Sequence, residues 1–193
     1  MAELKKDRLN RCGWCLSSEL YMEYHDKEWG KPLYDDRLLF EFLVLESFQS
    51  GLSWITILNK RENFRLAYDN FEIETVAKYN DDKLKELMNN SGIIRNSAKI
   101  DASINNAKLV KQIQSQHGSF QKYIWEFVGG KPIKNKWGSL SQVPSQTDLS
   151  IKMSKQMKKE GFKFLGPTTC YSFMQATGMV NDHLKTCFRY NQV

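Results

Sequence analysis

The chain has 193 residues, 41% of them hydrophobic and 26% charged, and carries a formal net charge of +6. This composition is ordinary for a soluble globular protein, and no apolar run approaches the roughly 20 residues that a membrane-spanning helix requires. The length accommodates one compact domain or two small lobes. The positive charge favours a polyanionic partner. The charged segment 1–11 lacks the apolar stretch of a secretory signal, so we expect a cytoplasmic protein with no membrane partner.

Apolar residues recur at helical spacing through most of the chain, whereas strand patterns are sparse. Residues 129–146 are rich in Gly, Pro, Ser and Lys and predict a loop. In the second predicted helix, Ser53 is the candidate N-cap, and we expect Lys60, Arg61 and Arg65 to be exposed. We therefore predict a nearly all-α chain. The predicted helices cover residues 35–48, 53–68, 72–79, 81–90, 97–116, 119–128, 148–160 and 167–179.

Glu46 directly follows the most apolar run of the chain, residues 38–45. On the predicted helix, Glu46 falls on the same stripe as Leu39, Phe42 and Leu43. A carboxylate on a core stripe must be paired, hydrogen-bonded or reserved for a ligand, because burying it alone is unfavourable. The spacing leaves a second interpretation open, in which Glu46 lies at the edge of the core and faces water.

Two cysteines and two histidines form a candidate metal site. The four cysteines of the chain favour thiols or metal ligands over disulfides in a reducing compartment. Cys12 and Cys15 form only half of a zinc-ribbon pattern, since no second C-x-x-C exists. His183 and Cys187 would share one face of a helix, and with Cys12 and His25 they form a set that suits tetrahedral Zn²⁺ without an open position. The alternative is a group of buried thiols and hydrogen-bonded histidines.

Aromatic residues surround this candidate metal site in the sequence. Trp14, Tyr21 and Tyr24 flank two of the proposed ligands, and Trp54 follows Glu46 closely. A pocket with aromatic walls and one carboxylate suits a flat, cationic ring that bears an amine. Taken singly, each of these aromatic residues is more often part of a core.

The break between two predicted helices, residues 91–96, is a candidate phosphate site. Free backbone amides and the helix dipole at the start of the second helix attract anions. The Gly92 backbone lies in this break, and Arg95 and Lys99 add positive charge beside it. The alternative is an ordinary turn between helices.

Short motifs that run from residue 11 to residue 187 give the chain a recognisable pattern. They are RCGW at 11–14, YMEYHDKEWG at 21–30, LE at 45–46, GLSWITIL at 51–58, KREN at 60–63, GIIR at 92–95 and GFKFLGPTTCYSFMQATGMVNDH at 161–183. With these motifs the chain resembles the 3-methyladenine DNA glycosylase I family of the helix-hairpin-helix DNA glycosylase superfamily. The resemblance covers nearly the whole chain.

The resemblance implies an all-α helix-hairpin-helix fold, with a zinc site that joins the two ends of the chain. We expect one glycosylase domain over 1–193. Segments 1–34 and 165–193 would form a zinc-binding lobe, and segment 35–164 a helical lobe with its hairpin at 91–96. One structural Zn²⁺ per chain is implied. Its implied ligands are Cys12, His25, His183 and Cys187.

The resemblance also implies a site for a damaged base. Glu46 and Tyr24 are implied as catalytic residues, and the turn at Gly51 and Leu52 would enter the DNA stack when the base leaves it. The implied base-binding residues are Trp14, Tyr21, Tyr24, Glu46 and Trp54. The expected DNA-binding residues are Gly51, Leu52, Gly92, Arg95 and Lys99.

The implied activity is base-excision repair, in which 3-methyladenine is released from double-stranded DNA by hydrolysis of the N-glycosidic bond. The partners would be the damaged duplex and its flipped base, and we expect a monomer. The superfamily hairpin usually contains Gly-x-Gly, but Ile94 occupies the second position here. Bifunctional members carry a lysine where this chain has Asn96, so we expect no lyase reaction. No aspartate lies between Asp101 and Asp148 to assist hydrolysis.

Two competing hypotheses remain at this point. A zinc-stabilised DNA-binding module without catalysis would bind duplex DNA and release no base. A small-molecule enzyme with an aromatic pocket is disfavoured by the basic charge and by the hairpin. Incubation with alkylated DNA, followed by analysis of the released bases, separates the three possibilities.

Overall fold

The computed structural model describes residues 9–193, so the first eight residues of the predicted zinc-binding lobe lie outside it. The described part is mostly helical, as predicted, and none of its helices is long and apolar enough to cross a membrane. The helices are α1 Glu19–Lys27, α2 Asp36–Gln49, α3 Trp54–Leu58, α4 Arg61–Ala67, α5 Ile73–Val76, α6 Asp81–Asn89, α7 Ser97–His117, α8 Phe120–Glu126, α9 Asp148–Lys159 and α10 Pro167–Ala176.

Helix α2 lies at the centre of the core. Its residues 39–48 are all buried, and it packs against α3, α7, α8 and α10. The side chain of Asp35 caps its N-terminus by accepting from the Leu38 amide at 2.8 Å. Asp36 accepts hydrogen bonds from the first amides of α8 and so ties the two helices together. A helix that is buried all round carries any charged side chain into the interior, which is the situation of Glu41 and Glu46.

The predicted helix 53–68 is divided into α3 and α4. The division lies at Asn59 and Lys60, where the Lys60 amide bonds to the Ile57 carbonyl in a tighter turn. Ser53 does not cap the backbone but pairs with the Thr56 hydroxyl. The change of direction turns Arg61 inward, so the prediction that this side chain is exposed is wrong.

The predicted loop 129–146 contains a short strand, β1 Ile133–Lys134, which pairs in parallel with β2 Val180–Asn181. The pairing connects the middle of the chain to the segment after α10. Gly178 precedes β2 with φ +69°, and a Cβ atom there would lie 2.3 Å from the Lys31 carbonyl carbon. Only glycine permits this close approach, which holds the end of α1 against the end of α10.

Short 3-10 turns complete the described chain, at Gly13–Cys15, Asp69–Phe71, Leu140–Gln142 and Phe188–Asn191. The first and last of these belong to segments that touch. The Phe188 amide donates to the Asn10 carbonyl at 2.8 Å, and the Asn10 side chain donates to the Thr186 carbonyl. The N-terminal and C-terminal segments therefore meet, as the predicted metal site requires.

Candidate metal centre and ligand cavity

Four buried side chains from opposite ends of the chain meet in the interior. Cys12, His25, His183 and Cys187 each contribute one ligand atom, and these atoms lie within 4.8 Å of one another. His25 lies on α1, whereas His183 and Cys187 follow β2 in a turn that the Cys187 amide closes on the Leu184 carbonyl. His183 and Cys187 are therefore brought together by a turn rather than by a shared helix face, and the predicted grouping of the four residues is present. The cluster can hold a metal ion.

Hydrogen bonds behind the cluster fix the orientation of both imidazoles. His25 Nδ1 lies 2.7 Å from the Asp26 carboxylate, which Arg11 also binds at 2.7 Å. His183 Nε2 lies 3.0 Å from the Trp29 carbonyl. Because a carboxylate and a carbonyl accept, these ring nitrogens donate, and His25 Nε2 and His183 Nδ1 are left as electron-pair donors toward the cluster.

Trp29 links the metal-ligand cluster to a cavity. Its ring lies 4.7 Å from the His183 ring and 4.9 Å from the Trp14 ring. The cavity beyond has a volume of about 190 Å³. All five residues predicted to bind the base line it. The lining residues are Trp14, Tyr21, Tyr24, Trp29, Glu46, Gln49, Trp54, Leu140, Val143, Ser172, Gln175 and Asp182.

Glu46 is the unusual group of this cavity. Its side chain is only 4% exposed, so the interpretation that it faces bulk water is wrong. Within residues 9–193 its carboxylate has no hydrogen-bond or ion-pair partner, and Oε2 is fully buried. Burial raises the pKa of this carboxyl to about 8. An unpaired buried carboxylate is costly, and a ligand with N–H donors or positive charge would relieve that cost.

Aromatic rings form the wall beside Glu46. The Tyr24 and Trp54 rings are 5.4 Å apart, and Trp54 stacks against Phe42 at 6.4 Å with an interplanar angle of 17°. The Trp54 Nε1 is buried and has no acceptor in the described chain. Burial, together with the charge of Glu46, raises the pKa of the Tyr24 hydroxyl, which therefore remains protonated. The wall offers ring faces and donors to a flat ligand.

Asp182 is a cavity residue that the sequence analysis does not identify. Its Oδ1 accepts from Asn135 at 2.6 Å and from Trp137 at 2.8 Å, and its Oδ2 accepts from Tyr171 at 2.6 Å and from Gln175 at 2.8 Å. Four donors satisfy this carboxylate completely. Its position beside a candidate metal ligand was the only signal in the sequence, and that signal does not predict a role in the cavity.

The turn at Gly51 and Leu52 lies on the surface, as an element that enters DNA must. Gly51 has φ +83° with open space around its Cα, and Leu52 is 41% exposed. A positive φ of this kind favours glycine. The apolar Leu52 side chain at the tip of a turn has the shape and chemistry of a wedge between bases.

At the predicted phosphate site, residues 91–96, two of the expected donors already bind acceptors within the chain. The Gly92 amide already donates to the Asn90 side chain at 2.8 Å, which removes it as a free donor. Lys99 is buried, and its ammonium donates to the Phe48 and Ser50 carbonyls at the end of α2, so its role is to cap that helix. Arg95 is exposed and has no partner among the residues described, which leaves it available to an anion.

A second helical hairpin, between α9 and α10, lies outside the predicted DNA-binding residues. Phe164 adopts φ +57° and is 41% exposed. Its spacing to Gly166 reproduces the Gly-x-Gly pattern, with Phe164 in the conformation that glycine adopts most readily. Across residues 9–193, the amides of Leu165 and Gly166 have no acceptor. This hairpin therefore presents free donors at the start of a ten-residue helix.

An aromatic cavity with one unpaired carboxylate, on a helical scaffold, defines a protein that binds a flat ring carrying N–H donors. The comparison with known proteins gives the family. Residues 14–190 match the methyladenine glycosylase family. The chain therefore belongs to this family, which confirms the resemblance inferred from the motifs.

Individual relatives agree over nearly their full lengths. The chain is 46% identical over 177 residues to a DNA-3-methyladenine glycosylase of Haemophilus influenzae, covering 92% of this chain and 96% of that one. It is 44% identical over 182 residues to DNA-3-methyladenine glycosylase 1 of Escherichia coli, covering 94% and 97%. A structure of 3-methyladenine DNA glycosylase I from Staphylococcus aureus superposes with a TM-score of 0.90 at 39% identity, covering 94% and 97%.

Proposed function

We propose that this chain removes 3-methyladenine from alkylated DNA by hydrolysing the N-glycosidic bond, with the flipped base bound in the cavity. The observation that carries the proposal is the buried Glu46 carboxylate, which faces aromatic rings without a partner in the described chain. The family supports the reaction, because its relatives are DNA-3-methyladenine glycosylases. The solved structure from Staphylococcus aureus concerns recognition of 3-methyladenine.

Glu46 would recognise the base rather than activate water. The carboxylate would accept the exocyclic amine of the adenine and balance the positive charge that N3-methylation produces. Trp14, Tyr21, Tyr24 and Trp54 would hold the ring through their faces and edges. The Tyr24 hydroxyl, kept protonated, would donate to the base beside Glu46. Both residues then touch the reacting nucleotide and are catalytic residues in that sense.

The chemistry needs little further assistance from the protein. Adenine methylated at N3 is cationic while it is still bonded to deoxyribose, so it departs as a neutral base and no general acid is required. The protein must extrude the nucleotide, which costs a few kcal/mol of stacking, and must select the damaged base. A cavity that binds a positively charged base with an N–H donor more strongly than a neutral base performs this selection. Asn96 offers no amine, so we propose hydrolysis without a lyase step.

Contacts with duplex DNA would involve three surface features. The Leu52 side chain would fill the space that the flipped base leaves, and Arg95 would bind a phosphate. The hairpin between α9 and α10 would add backbone contacts through the free amides of Leu165 and Gly166. Double-stranded DNA as the partner and a monomeric state remain predictions. The division into a metal-binding lobe and a helical lobe is likewise proposed.

The metal in the cluster would be one structural Zn²⁺. His25 Nε2 and His183 Nδ1 are 3.2 Å apart, and Cys187 Sγ lies 3.5 and 3.6 Å from them. Zinc bonds of about 2.0–2.1 Å to nitrogen and about 2.3 Å to sulfur give tetrahedral edges of roughly 3.3 and 3.6 Å, respectively. The residues present therefore fit the ion. When bound, zinc would join α1 to the C-terminal segment and hold Trp14 and Trp29 at the cavity.

Base release tests the proposed function directly. The protein is incubated with methylated duplex DNA, and the released bases are separated by chromatography. We expect 3-methyladenine in the supernatant with intact DNA strands, and we expect Glu46→Ala to release less of it at the same protein concentration. Tight binding to the duplex without any released base would instead indicate the alternative, a zinc-stabilised DNA-binding module without catalysis.

A further inference from the structure

Arg61 lies in the interior among carboxylates. Its Nε donates to Glu41 Oε1 at 2.6 Å, and its Nη1 donates to Glu28 Oε2 at 2.7 Å. Arg65 binds the same oxygen of Glu41, with its Nη2 at 2.8 Å. Glu41 is fully buried, and its second oxygen has no partner in the described chain. Buried ion clusters of this kind are weak contributors to stability, because desolvation offsets most of the attraction. The arrangement therefore calls for another explanation.

The partners of Arg61 lie on the elements that build the cavity. Glu28 follows α1, the helix that carries Tyr21 and Tyr24. Glu41 belongs to α2, which carries Glu46 five residues later. Arg61 itself begins α4, directly after the short helix α3 that starts with Trp54. Arg61 thus links the residue after α1 to α2 from a position just beyond α3, and these three helices supply four of the five proposed base-binding residues.

Arg61 also lies behind one wall of the cavity. Its guanidinium carbon is 4.9 Å from the centre of the Phe42 ring, and the centre of the Trp54 ring lies 6.4 Å from that same ring centre, with an interplanar angle of 17°. The guanidinium therefore packs on the ring that in turn packs beside the indole of the cavity wall. Because Trp54 Nε1 has no acceptor in this part of the chain, packing alone determines the position of the indole. The guanidinium packed on Phe42 limits how far the Phe42 ring, and with it the indole, can move.

We infer that Arg61 is a positioning residue for base recognition, which holds Trp54 through Phe42 and fixes α1, α2 and α3 around the cavity through Glu28 and Glu41. Arg61 does not line the cavity, so it acts only through other residues. The inference rests on the proposed function, since it concerns the same base-binding cavity. It predicts that the shape of the guanidinium matters, and not only its charge.

Arg61→Lys and Arg65→Lys form a matched pair that tests this inference. Both keep a positive charge beside Glu41, but only Arg61 also binds Glu28 and covers Phe42. We expect both variants to fold with modestly lowered melting temperatures. Free 3-methyladenine, titrated into each folded variant and followed by tryptophan fluorescence, should bind about tenfold more weakly to Arg61→Lys, because misplaced binding groups lose affinity. Arg65→Lys should bind it like the parent chain.

Several outcomes would overturn the inference. Parental affinity in Arg61→Lys would do so, as would an equal loss in Arg65→Lys, which would reveal a general effect of stability. If Arg61→Lys fails to fold, Glu28→Ala replaces it, since Glu28 is partly exposed and its truncation removes the acceptor that links Arg61 to the end of α1. Parental affinity in that variant would then contradict the role of the link. Failure of the parent chain to bind the base would count against the proposed function instead.

Discussion

The metal-ligand cluster and the cavity lie side by side, yet they treat buried polar groups in opposite ways. Around the cluster, both imidazoles have outer hydrogen-bond partners, and the Asp26 carboxylate that holds His25 is itself bound by Arg11. At the cavity, Glu46 and the Trp54 indole nitrogen have no partner among the residues described. Satisfied groups rigidify a structure, whereas unsatisfied ones raise its free energy. This difference indicates that the surroundings of the metal-ligand cluster stabilise the fold, whereas the cavity keeps polar groups that a ligand could pair.

The largest effect should come from the supporting region. Cys187→Ala removes one proposed zinc ligand, and structural zinc of this type contributes on the order of 10 kcal/mol to folding. We expect loss of stoichiometric zinc, measured by metal analysis, and a much lower melting temperature. Cys170→Ala is the control, because Cys170 is equally a buried thiol but lies outside the cluster. A metal-free parent chain of full stability and activity would contradict the structural role.

A substitution in the unsatisfied region should have the opposite effect on stability. Removing the charge of Glu46 should stabilise the folded chain. The pKa of Glu46 rises from 4.5 to about 8 in the folded chain. A raised carboxyl pKa means that the folded state prefers the protonated form, so stability is complete below pH 4.5 and falls as the pH rises to about 8. Glu46→Gln removes this loss. At pH 9 this variant should therefore melt at a higher temperature than the parent chain. The gain in the free energy of unfolding should be up to a few kcal/mol.

The control for this comparison is a second melting curve at pH 4.5, where the parent chain already carries a neutral Glu46. There the two proteins should melt at similar temperatures. Equal melting temperatures at both pH values would show that the cavity does not penalise the charge. The contrast between a costly carboxylate and a satisfied one would then disappear.

Base affinity should change by a smaller amount. Glu46→Ala leaves the amine of bound 3-methyladenine without an acceptor, at a cost of roughly 1–3 kcal/mol. Glu46→Gln keeps an acceptor but loses the charge, so it should bind the free base more weakly than Glu and retain more single-turnover excision than Ala. If Gln binds the free base as well as Glu while excision falls as far as in Ala, Glu46 activates water instead.

Sequence patterns predict the groups that could bind a base or a metal better than they predict the buried charges that hold those groups in place. Glu46 is predicted because a charge falls on a core stripe, and the candidate metal ligands are predicted from residue type, although His183 and Cys187 lie in a turn. Arg61 and Asp182 did not stand out, because their partners come from distant segments that only the folded chain brings together. Helix spacing predicts which face of a helix is buried, but it does not predict which distant charge that face will meet.

At the hairpin, two of the three predicted phosphate-binding groups have internal partners for a related reason. The break at residues 91–96 contains a glycine and two basic residues, which is all that the sequence can show. The structure gives the Gly92 amide to Asn90 and the Lys99 ammonium to the end of α2. From the sequence alone, both groups have the chemistry of hydrogen-bond donors to a phosphate. The structure shows that each already donates to an acceptor within the chain. Of the three groups predicted to bind phosphate at this break, only Arg95 has no partner among the residues described.

Arg95 therefore supports the prediction with the smallest expected effect. Arg95→Ala should weaken binding to methylated and unmethylated duplexes alike, because a phosphate contact carries no sequence information. The slope of log affinity against log salt concentration is negative, and one lost contact should make it less steep by about 0.9. Lys108→Ala provides the control, since this residue is also exposed but lies 13 positions further along, on α7. Fluorescence anisotropy at several salt concentrations measures both slopes.

An unchanged slope in Arg95→Ala would place the DNA backbone elsewhere, and the free amides between α9 and α10 would then be the remaining phosphate donors. Binding of free 3-methyladenine should stay at the parental value in either case, because Arg95 does not line the cavity.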